Sequence, residues 1–243
     1  MNLLLFNEPF ETCRIPFVSE RGKHLRDVLK VTSGASLYVG FVDGARALCQ
    51  VEEVTEIDLL LRVQRVDPSP SLLPLALCVA LPRPHSARKL LYDAAMMGVG
   101  ELVFFSGERC DASYRNSRLW QTDEWRQRIY SGLEQSFCTI APIVRHFDHL
   151  NDVLEFFMAR NIAALDNYEA SAELSDWLLA QRPQRVSSWT LLIGPERGFT
   201  AAERSLMRAQ EIPLLHLGPR VLRVETAAVV ATALVGSLGG YWA

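Results

Sequence analysis

The chain reads as an α/β protein: a small β-barrel, then a mostly parallel sheet covered by helices. Three observations predict this. The first seventy residues hold several short apolar strands around one helix. A run rich in proline and serine, Asp67-Pro68-Ser69-Pro70-Ser71 with Pro74 soon after, then marks a linker. Beyond it strands and helices alternate, the rhythm of a sheet sandwiched by helices. The expected division is therefore 1–70 and 71–243.

In the first part, Leu37 to Phe41 and Ala47 to Val51 flank Asp43-Gly44, a dipeptide that tolerates the positive φ of a tight hairpin. Ile57 to Val63 adds a strand, and a helix spans roughly Arg21 to Lys30. In the second part, Leu75 to Leu81 is a strand, Ser86 to Met97 a helix, and Leu102 to Phe105 a strand. Trp125, Ile129 and Leu133 recur every fourth residue, the stripe of an amphipathic helix. Further strands are Ile162 to Leu165, Thr190 to Ile193 and Pro213 to Leu217. Thr200 followed by Glu203 is a capping box that starts a helix. The last helix, from about Glu225 to Leu238, is small or apolar all round, so one sheet cannot cover it. It is buried either in a thick monomer or at a subunit interface, and the interface is the expectation.

Composition narrows the function. Apolar residues make up 49% and charged residues 22%, with a formal net charge of −3, so any nucleic-acid surface must be a local patch. The five cysteines form no CxxC or CxxH pair, which argues against a metal site and a disulfide framework. Scattered thiols fit a reducing cytoplasm. No basic n-region opens the chain and no apolar run is long enough to span a bilayer, so a cytoplasmic protein without membrane contact is expected. No GxGxxG follows the first strand of the second part and no Gly-Lys-Ser/Thr occurs in the glycine loops, which disfavours dinucleotide and P-loop chemistry.

The informative segments are two glycine loops, Ile193-Gly194-Pro195-Glu196-Arg197-Gly198-Phe199 and Leu217-Gly218-Pro219-Arg220-Val221-Leu222-Arg223-Val224-Glu225-Thr226-Ala227. Each follows an apolar strand and runs into a helix, where glycine permits close approach and the helix start offers unpaired amides. Side by side they would frame a nucleotide-sized pocket beyond the strand ends. Ile193, Leu217, Val221 and Leu222 would wall it, and Thr226 and Ala227 lie in the first turn of the last helix. Glu225 reads as a carboxylate complementing the helix dipole, and Arg220 equally as a structural ion pair or an RNA contact. In the first part, Arg21, Lys23, Arg26 and Lys30 put four cations on one short stretch, opposed only by Asp27. This is either a solvated face or a phosphate-contacting one.

These two loops, Gly-Pro-Glu-Arg-Gly-Phe and Val-Leu-Arg-Val-Glu-Thr-Ala, resemble those of RsmE-type methyltransferases of the SPOUT superfamily. The resemblance covers the whole length and is strongest in the last fifty residues. It implies a trefoil-knotted α/β domain that binds S-adenosylmethionine in the knot, a PUA-like RNA-binding barrel before it, dimerisation through the knot helices, and methylation of N(3) of a uridine in 16S ribosomal RNA. Gly194 and Gly218 would then let backbone groups read adenine and ribose. Arg223 would stabilise the uracil anion left when the N(3) proton departs. Glu196 would either take that proton or bind the ribose. Arg21, Lys23, Arg26 and Lys30 would hold RNA phosphates.

Three stretches depart from the family. Arg197 stands where a second glycine is usual. The first helix of the second part reads Tyr92-Asp93-Ala94-Ala95-Met96-Met97-Gly98-Val99, with a reversed charge at Asp93 and no carboxylate at Met96. The run Glu134-Gln135-Ser136-Phe137-Cys138 lacks the Gly-Arg that usually ends it. The donor half is kept and the RNA-facing half altered. The alternatives are therefore a related methyltransferase acting on another RNA position, or an RNA-binding module that has lost catalysis.

Overall fold

A computed structural model describes residues 3–158, 161–181 and 188–242. The chain falls into two compact units, Met1–Ser71 with Leu133–Ala141, and Leu72–Gly132 with Pro142–Ala243. The proline–serine stretch ends the first segment of the first unit. Residues Leu133–Ala141 join that unit because hydrogen bonds sew them in: the amide of Asp43 donates to Thr139 O at 2.8 Å, and that of Thr139 to Ser69 Oγ at 2.9 Å.

The first unit is built on a five-stranded sheet of β1 (Leu4–Phe6), β2 (Thr12–Pro16), β3 (Ser36–Phe41), β4 (Arg46–Val54) and β5 (Asp58–Asp67). Their order is β1-β3-β4-β5-β2, antiparallel except for the β1–β3 pair. The β3–β4 hairpin turns where expected, with Asp43 at φ 56°. Leu37, Val39, Cys49, Val51, Leu59 and Leu61 alternate along β3, β4 and β5 and are fully buried beneath the helical segment's Leu25. No ladder joins β1 to β2 among the described residues, so the expected barrel is an open half-barrel. The helix is also shorter than expected. α1 (Glu20–Lys23), capped by Ser19 Oγ, passes into a π-helical turn at His24–Val28. The amide of Val31 then bonds back to Leu25 O at 3.1 Å, and Lys30, at φ 48°, lies beyond the helix.

The second unit alternates as predicted: β6 (Leu73–Ala80), α2 (Pro84–Met96), β7 (Val99–Phe105), α3 (Arg118–Gln121), α4 (Glu124–Ser136), β8 (Ile143–Phe147), α5 (Leu150–Phe157) and β9 (Asn161–Leu165). Then come β10 (Ala172–Glu173), α6 (Leu174–Gln181), β11 (Trp189–Ile193), α7 (Ala201–Ala209), β12 (Leu214–His216) and α8 (Val224–Leu238). Seven strands form one sheet, β10-β12-β9-β11-β6-β7-β8, in which every pair is parallel. A parallel sheet is covered on both faces, so its central strands are apolar throughout. All five residues of β11 are buried. The capping box on α7 forms, with the amide of Glu203 donating to Thr200 Oγ1 at 3.1 Å and that of Thr200 to Glu203 Oε2 at 2.7 Å.

Within one chain α8 is covered on one side. Val224, Ala228, Ala231, Thr232 and Val235 are buried within the unit, with α2 and α6 alongside. Thr226, Val230, Ala233 and Ser237 recur at helical spacing on the opposite side, half-buried or exposed.

Candidate functional site

The strands β12, β9 and β11 are neighbours, and their carboxyl ends come level: Leu165 pairs with Ile193 on one side and with Leu215 on the other. Ligands of parallel sheets bind beyond such ends. A cavity of about 530 Å³ lies there, within the range of small-molecule sites. The loop after β9 gives it Asp166, Asn167 and Tyr168. The β11 loop gives Gly194, Pro195, Glu196 and Gly198. The β12 loop gives Leu217, Val221, Leu222 and Arg223, and the first turn of α8 gives Val224, Glu225 and Ala227. The first turn of α2 closes it with His85 and Ser86, next to Arg83.

Both glycine loops thus meet at one cavity. Among the residues proposed to bind a cofactor, Ile193, Gly194, Leu217, Val221, Leu222 and Ala227 line it, as do Glu196 and Arg223. Gly218 and Thr226 are not in the lining. Thr226 is exposed, and the amide of Gly218 is spent on His216 Nδ1 at 3.1 Å. Gly218 has φ +100° with open space around it, so its glycine serves the backbone turn. Gly194 faces a different constraint, since a Cβ there would lie 3.2 Å from the Phe199 ring and amide. The loop folds over Phe199, which is wholly buried.

Glu196 Oε1 accepts the amide of Arg83 at 3.0 Å, which ties the β11 loop to the start of α2. Arg223 is the N-cap residue of α8, exposed, and without a side-chain capping bond. Among the described residues it is in no ion pair, so its guanidinium is available to the cavity. Glu225 is 7% exposed, with Lys89 Nζ 4.0 Å away. Beside them on α2, burial pushes the Asp93 carboxyl above its ordinary range; Lys89 opposes this and Glu225 adds to it.

Sequence reasoning missed the β9 loop. Asp166, 4% exposed, is its organiser. Its Oδ1 accepts the amides of Tyr168 and Glu169 at 2.8 and 2.7 Å, and its Oδ2 accepts Arg204 Nε at 2.8 Å. This turn leaves Tyr168 72% exposed at the cavity, 5.0 Å from the Arg204 guanidinium. The available signal was a carboxylate directly after a predicted parallel strand. The first turn of α2 was missed as well, although Arg83-Pro84 marks a helix start with proline at its first position.

The basic stretch of the first unit does not present four equivalent cations. Arg21 donates to Leu5 O and stacks 4.1 Å from the Phe6 ring. Arg26 pairs with Asp27 at 2.7 Å. Lys23 and Lys30 are exposed, and among the described residues neither is in an ion pair. No cluster of His, Cys, Asp and Glu that could hold a metal, and no helix long and apolar enough to cross a membrane, occurs among the described residues.

A model of the RNA methyltransferase domain matches residues 69–236. The chain is 27% identical to ribosomal RNA small subunit methyltransferase E of Treponema pallidum, over 100% of this chain and 93% of that protein. It is 24% identical to ribosomal RNA small subunit methyltransferase E 1 of Borreliella burgdorferi, over 98% of both. In fold it is similar to the crystal structure of a ribosomal RNA small subunit methyltransferase E from Neisseria gonorrhoeae bound to S-adenosyl methionine. That likeness has a TM-score of 0.76 at 18% identity and covers 98% of each chain.

Proposed function

Because this chain belongs to the RNA methyltransferase domain family, we propose that it methylates N(3) of a uridine in 16S ribosomal RNA. The observation that carries this reading is the convergence of both glycine loops on one cavity of about 530 Å³. When bound there, S-adenosylmethionine supplies an electrophilic methyl group. The residues present suit it. Ile193, Leu217 and Leu222 give apolar walls, Gly194 brings backbone without a side chain to the lining, and the Glu225 carboxylate complements a cationic donor.

Arg223 holds the acceptor. Once N(3) loses its proton the uracil ring carries negative charge, and a guanidinium beside the carbonyls stabilises it where water is excluded. Glu196, with Oε1 engaged by the Arg83 amide, has Oε2 for the N(3) proton or a ribose hydroxyl. Positioning alone can supply ~7–11 kcal/mol of such a transfer. The first unit is assigned to RNA binding in the manner of a PUA-like barrel, with Lys23 and Lys30 on phosphates and Arg21 and Arg26 shaping the surface. Strand β12, entering between β9 and β10, supports a trefoil knot. The half-exposed stripe of α8 supports a homodimer through that helix.

Mapping methylated positions in RNA from a deletion strain tests the reading. The expected result is loss of one N(3)-methyluridine from the small-subunit RNA, restored by the wild-type gene. Loss at another nucleotide would assign a different target. No loss, together with no donor binding by calorimetry, would leave an RNA-binding module. Arg223→Ala should slow single-turnover methylation about a hundredfold, ~3 kcal/mol, with donor affinity unchanged.

A further inference from the structure

Beside the main cavity lies a second one of about 180 Å³, which shares Arg83 and Glu196 with it. Three arginines line this side pocket, Arg83, Arg109 and Arg197. In a chain of net charge −3 such a cluster is a local reversal of sign. Arg109 Nη1 donates to the Arg197 carbonyl at 2.8 Å, which fixes the Arg109 side chain against the β11 loop. Among the described residues none of the three is in an ion pair.

Two carboxylates, Glu196 and Asp111, also line the pocket and offset part of this charge, leaving the three arginines in excess. Glu196 Oε1 takes the Arg83 amide. Asp111 Oδ1 takes the amide and hydroxyl of Ser113 at 2.9 and 2.6 Å, and these bonds, with the charge of Arg197, hold its carboxyl below the usual range. Burial pushes the Cys110 thiol up to about 11, so it adds no negative charge at neutral pH. Three arginines around one small concavity, in excess over its two carboxylates, suit a tetrahedral oxyanion, which accepts several charge-assisted hydrogen bonds at once. A donor molecule offers only a single carboxylate and is cationic at sulfur, a poorer match for three positive charges.

We propose that the Arg83–Arg109–Arg197 pocket binds a backbone phosphodiester of the substrate RNA, next to the nucleotide whose base enters the main cavity. The proposal rests on the RNA methyltransferase reading and gives it a positioning device. A base presented outside its stack needs its backbone held, and phosphate contacts supply that hold without reading sequence. Arg197 and Arg109 would therefore set where the strand lies, while Arg223 acts on the base.

The test is fluorescence anisotropy of a labelled, uridine-containing fragment of small-subunit ribosomal RNA over a potassium chloride series. Wild type is compared with Arg109→Ala/Arg197→Ala and with Arg109→Lys/Arg197→Lys, and methyl transfer is assayed on the same samples. The alanine pair should weaken RNA binding about tenfold, and the lysine pair should recover most of it. The log–log salt slope should fall by about 0.7, the share of one single-strand phosphate, with donor affinity by calorimetry unchanged. A fall near 1.4 would mean two separate phosphates on an open face, and an unchanged slope a merely solvated cluster. Loss of donor affinity would give the pocket to the donor. Each of these three results overturns the proposal. Wild-type RNA binding with the expected variant effects but no methyl transfer would sink the enzymatic reading and leave the pocket standing. Transfer by proteins of identical RNA affinity would do the reverse.

Discussion

Asp166 is the residue on which the cavity's β9 side depends, since one carboxylate serves two amides and one buried guanidinium. Arg204 has 8% of its side chain exposed, and without Asp166 its charge would be left with only the longer 3.6 Å contact to Glu169, poorly paired away from water. Asp166→Asn should therefore cost about 3 kcal/mol in urea unfolding, and Asp166→Asn/Arg204→Met should regain part of it. Equal stability of wild type and the single variant would show that the ion pair adds nothing. The glycines show how far single residues were legible. Both read as points of ligand approach; Gly194 lines the cavity and also packs against Phe199, whereas Gly218 stands outside the lining at a positive φ. A glycine in a sequence reports a backbone need without saying which neighbour creates it. Asp166 was legible only as a carboxylate after a predicted strand, and its partner Arg204 is brought to it only by the fold.

Among the elements, apolar strands and capped helices were readable because periodicity, turn dipeptides and the Thr200–Glu203 box are local signals. The strands missed were β1, β2, β8 and β10. β8 mixes polar and apolar residues at the sheet edge, and β10 is two residues long, defined only by its pairing with β12. The packing of α2 against α4 adds a feature no pattern announces. Glu124 of α4 bridges Arg88 of α2 at 2.6 Å and Arg128 at 3.2 Å, and the Arg88 hydrogen bond lowers its carboxyl to about 2 from 4.5. A carboxyl depressed in the folded state contributes stability above its unfolded value, and that stability is lost as pH falls through the folded one. Wild type should exceed Glu124→Gln most clearly above pH 4.5, with the gap closing toward about pH 2 in acid unfolding followed by circular dichroism. A gap independent of pH would assign the difference to packing instead.

For the whole molecule, the α8 stripe decides how association should be tested. Ala231 and Val235 are wholly buried already, so a glutamate at either reports unfolding. Val230 is half-buried on the side away from the sheet, where a carboxylate stays hydrated in a monomer and is stranded in a dimer. Val230→Glu should sediment as a folded monomer and wild type as a dimer at micromolar concentration; a wild-type monomer removes the homodimer. The strand order also governs the molecule's birth. β12 is synthesised after β11 and α7, yet it takes its place between β9 and β10. Until it does, the edge of β9 stays open, β10 has no partner, and the β12 loop and α8 wall of the cavity do not exist. A chain in which β12 has not yet inserted therefore carries an unfinished edge that invites mispairing, and the donor stabilises only the state in which β12 is in place.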